Sequence, residues 1–265
     1  MNYANNSAIF FIFIAFLCVF LVFLKKKDYL CTDFHYLKSF LVMKRFVIPF
    51  LLLFGALTIQ AQNAFSEHAY LLDAYLTNSM DVWKAHIDSV VDLPYEYGYC
   101  AALMETDREA AKIYVKRFHQ HVEQAKNNLP AGHYKMYMSA VWVYELRLHE
   151  SFHPARALQW AKEAVNEAPE DPLTLTYCGM SLFYAPKPFG SKKEALTYFL
   201  RAEKQFAAPE WYNCWWRAAA LMYISQCYEK QGDVQKAIRK ANSVLAEYPN
   251  YQFLKTVYLP ILKNR

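Results

Sequence analysis

Glycine is scarce in this chain: six residues among 265, beside eleven prolines. An all-β domain turns about every ten residues and draws on both for its turns, so the count argues against one. It argues equally against loops that cradle a phosphate or a dinucleotide, where glycine lets the backbone approach the ligand. No G-x-S-x-G elbow and no dinucleotide fingerprint occurs. Cysteine lacks a framework pattern. Beyond residue 61 there are four, Cys100, Cys178, Cys214 and Cys227, irregularly spaced and without C-x-x-C. Buried free thiols are one reading of these four, and a disulfide between two of them in an oxidising compartment is the other.

The body also lacks a charge excess. Of the formal charge of +5, +4 belongs to residues 1–61, which hold Lys25, Lys26, Lys27, Lys38, Lys44 and Arg45 against Asp28 and Asp33. The remainder carries 23 basic and 22 acidic groups. That balance gives no electrostatic case for nucleic acid.

What is abundant is apolar and aromatic surface, with 21 tyrosines and 19 phenylalanines. Two apolar runs open the chain. The first, Ile9 to Leu24, precedes the lysine triplet and is short for a membrane span. The second has a basic start at Met43-Lys44-Arg45, an apolar core from Phe46 to Ile59, and a small residue for cleavage in Gln60-Ala61-Gln62. This is the tripartite pattern of a secretory signal peptide. The expected organisation is therefore an extension or membrane segment at 1–42, a signal peptide at 43–61 with Met43 as the start, and an exported body lying in the periplasm or against the envelope. The alternative keeps Met1 as the start and 9–24 as a membrane anchor. No lipidation cysteine follows the second run.

From Ala64 onward the apolar period is 3.6 and the breaks are Pro or Gly. Leu221, Ile224 and Tyr228 form a stripe closed by Lys230-Gln231-Gly232-Asp233, and Ala237, Ala241, Val244 and Leu245 share one face of the helix that follows, stopped by Tyr248-Pro249-Asn250. Gly232 suits the left-handed closing position and Asp233 the cap of the next helix. Upstream, Val141, Tyr144 and Leu148 precede Ala157, Ala161 and Ala164, and Leu175, Cys178, Gly179 and Leu182 precede Ala195, Phe199 and Ala202.

A bulky residue, an aromatic seven later, Gly-Asp, two small residues and a proline over about 34 residues resemble a tetratricopeptide repeat. Val141 to Leu175 spans that period. The resemblance covers 133–250 well and 65–128 loosely. It implies an all-α fold of antiparallel helical hairpins stacked as a right-handed superhelix, with degenerate hairpins at 62–130, repeats at 131–250 and a capping helix at 251–265. In the first stretch Val82 to Val91 and Asp107 to Lys126 read as helices separated by a break at Pro94-Tyr95. The Pro186–Ser191 loop is longer than the family's turn, and the helix after Pro209 is expected to start at Glu210-Trp211.

The resemblance also implies a concave groove, lined by the first helix of each pair, that takes a protein or peptide partner without catalysis or cofactor. Carried over, that face is Trp142, Leu146, His149 and Glu150 in the first clear unit. It is Thr176, Met180, Phe183 and Tyr184 in the second, and Met222, Gln226, Glu229 and Lys230 in the third. The opposing reading makes the same face core. Trp211, Tyr212, Trp215 and Trp216 form an aromatic cluster on the long helix, with Trp211 and Trp215 at i, i+4, suited to packing and secondarily to an interface. A small-ligand pocket closed by this helix and the Pro186–Ser191 loop is the alternative function.

A zinc hydrolase is a third reading, because His149-Glu150-Ser151-Phe152-His153 is a literal H-E-x-x-H. Pro154 follows it and disfavours helix at His153, so the two imidazoles should not share a helical face. His119 and His121, two apart, fall on different faces of one helix. No metal is expected on either pair.

Overall fold

A computed structural model describes residues 69–149 and 154–264, and among them it is wholly helical, with no strand. The leader segments expected at 1–42 and 43–61 lie outside the described residues, as do Glu150 and His153. Eleven helices follow one another: α1 (Ala69–Thr77), α2 (Met80–Ser89), α3 (Leu93–Thr106), α4 (Arg108–Ala125), α5 (His133–Leu148), α6 (Pro154–Glu167), α7 (Pro172–Tyr184), α8 (Lys192–Gln205), α9 (Trp215–Lys230), α10 (Val234–Glu247) and α11 (Leu259–Lys263). A π-helical stretch, Leu254–Tyr258, leads into α11. All lie in one compact unit, Asn63–Arg265.

Four of the helices, α4, α7, α8 and α10, begin where a polar side chain satisfies one of the first amides. Asp107 accepts from the Ala110 amide at 3.0 Å, Asp171 from Thr174 at 2.7 Å, Ser191 from Glu194 at 3.1 Å and Asp233 from Lys236 at 3.1 Å. Gly232, at φ +88°, closes α9, and the Asp233 amide reaches back to the Tyr228 carbonyl at 2.9 Å. That bond is the longer of the two that a left-handed closing residue makes available.

Helices pair in sequence as α3 with α4, α5 with α6, α7 with α8 and α9 with α10, and each pair packs on the next. The first members of neighbouring pairs, α3, α5, α7 and α9, also touch one another in that order. The outer helices are amphipathic and bury small residues, such as Ala195 and Ala202 of α8 and Ala237 and Ala241 of α10. The inner ones are buried on nearly every side, α9 from Trp215 through Ser225 almost without interruption. Burial of each large apolar side chain contributes about 1.5–3 kcal/mol, so the inner helices hold the array together.

The hairpins repeat in their details. Ser139 Oγ of α5 donates to the Ala157 carbonyl of α6 at 2.7 Å, and Ser225 Oγ of α9 to the Ala237 carbonyl of α10, also at 2.7 Å. Three residues further on, Trp142 carries the Arg156 guanidinium 4.5 Å above its ring, and Tyr228 carries the Lys236 ammonium at 5.7 Å. Ser139 thus corresponds to Ser225, two hairpins and 86 residues later. This corrects the 34-residue match of Val141 with Leu175, since the inner helices begin about 40 residues apart. From Leu148 to Pro154 and from Tyr184 to Lys192 more residues separate successive helices than the three between Lys230 and Val234, and a fixed period does not accommodate them.

Two other boundaries differ from expectation. Pro94 does not break a helix but sits in the first turn of α3, where its missing N–H costs nothing. α3 is apolar all round and shows no stripe, which is why periodicity did not reveal it. After Pro209 there is only a 3₁₀ turn, Pro209–Trp211, and α9 begins at Trp215. Trp211 and Trp215 therefore share no helix: Trp211 packs edge-on against Phe206 at 5.7 Å, and Tyr212 is exposed beneath Arg217.

Candidate ligand-binding cleft

The inner face is not an open groove from end to end. α1 crosses to α9, and Tyr75 of α1 lies 5.3 Å from the Trp215 ring and 5.6 Å from that of Tyr251. Trp83 of α2 donates its indole N–H to the Leu71 carbonyl at 2.8 Å, fixing α2 to α1 and presenting its ring to Trp215 at 5.2 Å. Both indoles rest against Gly98 of α3. A Cβ there would stand 2.3 Å from Trp83 Cζ3 and 3.0 Å from Trp215 Cζ2, so only glycine admits them.

Between these elements lies a cleft of about 510 Å³. Its walls are Tyr75 and Trp83 from α1 and α2, Tyr97 from α3, Met180 from α7, and Trp215 and Met222 from α9. The segment 251–257 closes the remaining side with Tyr251, Phe253 and Val257. Among the described residues no Asp, Glu, Lys, Arg or His lines it. The tyrosine hydroxyls are largely occupied by one another. Tyr251 donates to the Met222 sulfur at 3.1 Å and shares a 2.8 Å bond with Tyr75, while Tyr223 shares one of 2.9 Å with Tyr184. Burial pushes the Tyr75 phenol up to about 12 and those of Tyr97, Tyr223 and Tyr251 well above their ordinary value, so these groups stay neutral.

Of the residues carried over from the repeat resemblance, the cleft brings together Met180 and Met222 alone, with Trp215 from the aromatic cluster. Trp142 packs on Trp160 inside its own hairpin, and Leu146 is half-buried on the same helix. The register explains both: three residues before Ser225 stands Met222, and three before Ser139 stands Met136, which is buried where Trp142 was expected to face inward. Thr176 is core, its hydroxyl bonded to the Pro172 carbonyl at 2.7 Å. Phe183 is buried beneath the Lys192 ammonium, and Tyr184 is exposed. Gln226 is half-buried and Lys230 exposed, while Glu229 is buried and accepts from the Tyr258 hydroxyl at 3.2 Å. Trp216 is fully buried and stacks on Tyr97 at 4.8 Å, which makes it core.

The sequence reading passed over Tyr75, Trp83 and Tyr97. The signal was the density of Tyr and Trp between residues 70 and 99, in the stretch where the repeat resemblance is loose.

The histidines sit apart from the cleft. α5 ends at Leu148 and His149 turns left-handed at φ +65°, so the H-E-x-x-H sequence does not begin within a continuing helix. His119 pairs with Glu145 of α5 at 3.3 Å and His121 with Glu96 of α3 at 2.8 Å, on opposite neighbours. Among the described residues no three His, Cys, Asp or Glu side chains gather as a metal site. The four body cysteines are free thiols, and burial pushes those of Cys178, Cys214 and Cys227 up to about 12.

No family model, curated protein or solved structure matches this chain.

Proposed function

We propose that this protein is a non-enzymatic binding protein built of tetratricopeptide-type hairpins, exported, and that its inner-face cleft holds a small ligand. The observation that carries this reading is the cleft itself: about 510 Å³, within the range of small-molecule sites, walled by aromatic and methionine side chains drawn from both ends of the array. An extended peptide needs a continuous inner face, and here α1 and α2 occupy part of it. The protein-scaffold reading keeps fewer supports, because only two of the residues carried over for it meet in one place. The export proposal rests on the basic start, apolar core and small cleavage residue at 43–61.

The test is recovery of a bound molecule. The full chain and an Ala101→Phe variant, whose new ring would fill the cleft, are purified in parallel from the same cells. Native mass spectrometry then compares them. A stoichiometric adduct on the parent that is missing from the folded variant supports the reading. Equal recovery from both chains, or capture of a protein partner that Ala101→Phe leaves intact, sinks it.

A further inference from the structure

The geometry points to an uncharged, largely apolar molecule as the occupant of this cleft, its body among the ring and methionine walls and its polar group at the mouth beside Asn78 and Gln252. The inference rests on the reading of the cleft as a ligand site and names the class of ligand.

Charge is the first argument. A carboxylate or phosphate taken from water into a site without a partner loses more in desolvation than it regains, and among the described residues no basic side chain lines these walls. A cation would find aromatic faces that attract it, but among the described residues no carboxylate to complete the offset. Neutral molecules incur neither cost.

Hydrogen bonding is the second. Tyr75, Tyr251 and Tyr223 satisfy one another or their neighbours, and the buried Trp215 indole N–H alone is left without an acceptor among the groups of this wall, so the interior asks of a ligand shape, dispersion and at most one neutral acceptor. The polar side chains with carboxamides, Asn78 and Gln252, are both exposed and therefore stand at the opening. Phe253 and Val257 line the same cleft while remaining 43% exposed each, which extends the apolar wall out to solvent.

The backbone of that wall is specialised as well. The Leu259 amide bonds the Leu254 carbonyl, one residue further back than in an α-helix. Pro260 follows, and its ring and missing N–H disfavour the ordinary helical bond at that turn. The wider turn carries Thr256 and Val257 into the cleft lining. Such π turns recur at functional sites.

A matched pair of probes tests the class. N-phenyl-1-naphthylamine is neutral, and 8-anilinonaphthalene-1-sulfonate is the same skeleton bearing a sulfonate. Each is titrated into the full chain and read by energy transfer from tryptophan, since Trp83 and Trp215 stand in the wall. The neutral probe is expected to saturate one site and to bind at least about tenfold tighter than the sulfonate, the equivalent of 1.4 kcal/mol. Ala101→Phe should abolish this binding with helicity unchanged. Val257→Lys, at the exposed mouth, serves where Ala101→Phe does not fold. It should weaken the neutral probe and strengthen the sulfonate. If the sulfonate, or benzyltrimethylammonium read by displacement of the neutral probe, binds as tightly as the neutral probe, and either variant changes its binding, the cleft remains a ligand site and the neutral class is overturned. If neither variant changes any probe, the cleft is not the site and both readings fall.

Discussion

Tyr75 and Tyr251 share a hydrogen bond of 2.8 Å across 176 residues of chain, joining the first described helix to the segment that follows the last hairpin. Tyr251 donates its own proton to the Met222 sulfur at 3.1 Å, so Tyr75 is the donor between them. Removing the two hydroxyls should therefore have unequal effects. Tyr251→Phe strands the Tyr75 hydroxyl and should cost about 1–3 kcal/mol, whereas Tyr75→Phe leaves Tyr251 bonded and should cost about 0.5–1.5 kcal/mol. Urea denaturation of both variants decides it; equal losses would mean that the bond does not close the array. The same pair predicts an alkaline limit. A phenol raised from about 10 in the unfolded chain to about 12 in the folded one favours folding fully below pH 10. That contribution is lost as pH rises through 12, so unfolding should track tyrosinate absorbance.

Gly98 offers a second test, independent of polar groups. Its missing Cβ is what admits Trp83 at 2.3 Å from the ideal position. Gly98→Ala should destabilise by about 1–3 kcal/mol through overpacking, although alanine is the better helix former by roughly 1 kcal/mol. Stabilisation in a thermal melt would show that the two indoles are free to move apart.

The all-α class was legible because the α9–α10 hairpin carries every local signal at once: the stripe through Leu221, Ile224 and Tyr228, Gly232 in the left-handed position, and Asp233 on the next amide. The register of the α5–α6 hairpin was not. Val141 and Leu175 lie at the family period, yet the hydrogen bonds match Ser139 with Ser225, because connections of unequal length shift every later residue. The site was illegible for a related reason. α3 is buried on most sides, so Tyr95, Tyr97 and Tyr99 show no face, and no local rule says that α1 will pack on α9.

The corresponding serines can be compared directly. Ser139 also meets the Tyr177 hydroxyl at 2.9 Å, while Ser225 meets Tyr258 at 3.4 Å and Tyr258 has Glu229 besides. Ser225→Ala should cost about 0.5–1.5 kcal/mol. Ser139→Ala, which deprives a buried phenol of this partner, should approach about 1–3 kcal/mol. Chemical denaturation measures both, and the reverse order would undo the proposed equivalence of the two hairpins.

The last prediction concerns the carboxylate of Glu96, 2% exposed on α3 and bonded to His121 Nδ1 of α4 at 2.8 Å. Burial pushes its pKa above the usual carboxylate range, and the His121 contact pulls it back. In His121→Ala the burial acts with less opposition, so the folded-state value rises further above the unfolded one of about 4.3. A raised carboxyl favours the folded state fully below the unfolded value and loses that advantage as pH climbs through the folded value. Relative to the parent, the deficit of His121→Ala should therefore be greatest near pH 7, at about 3 kcal/mol for a buried charge left without its partner, and should shrink as pH falls toward 4. Glu96→Gln removes the ionising group, so the double variant Glu96→Gln/His121→Ala should show a deficit that changes little over that range. Denaturant titrations of the three variants at pH 4, 5.5 and 7 separate the cases. A His121→Ala deficit that stays flat with pH would mean that Glu96 is neutral in the parent as well.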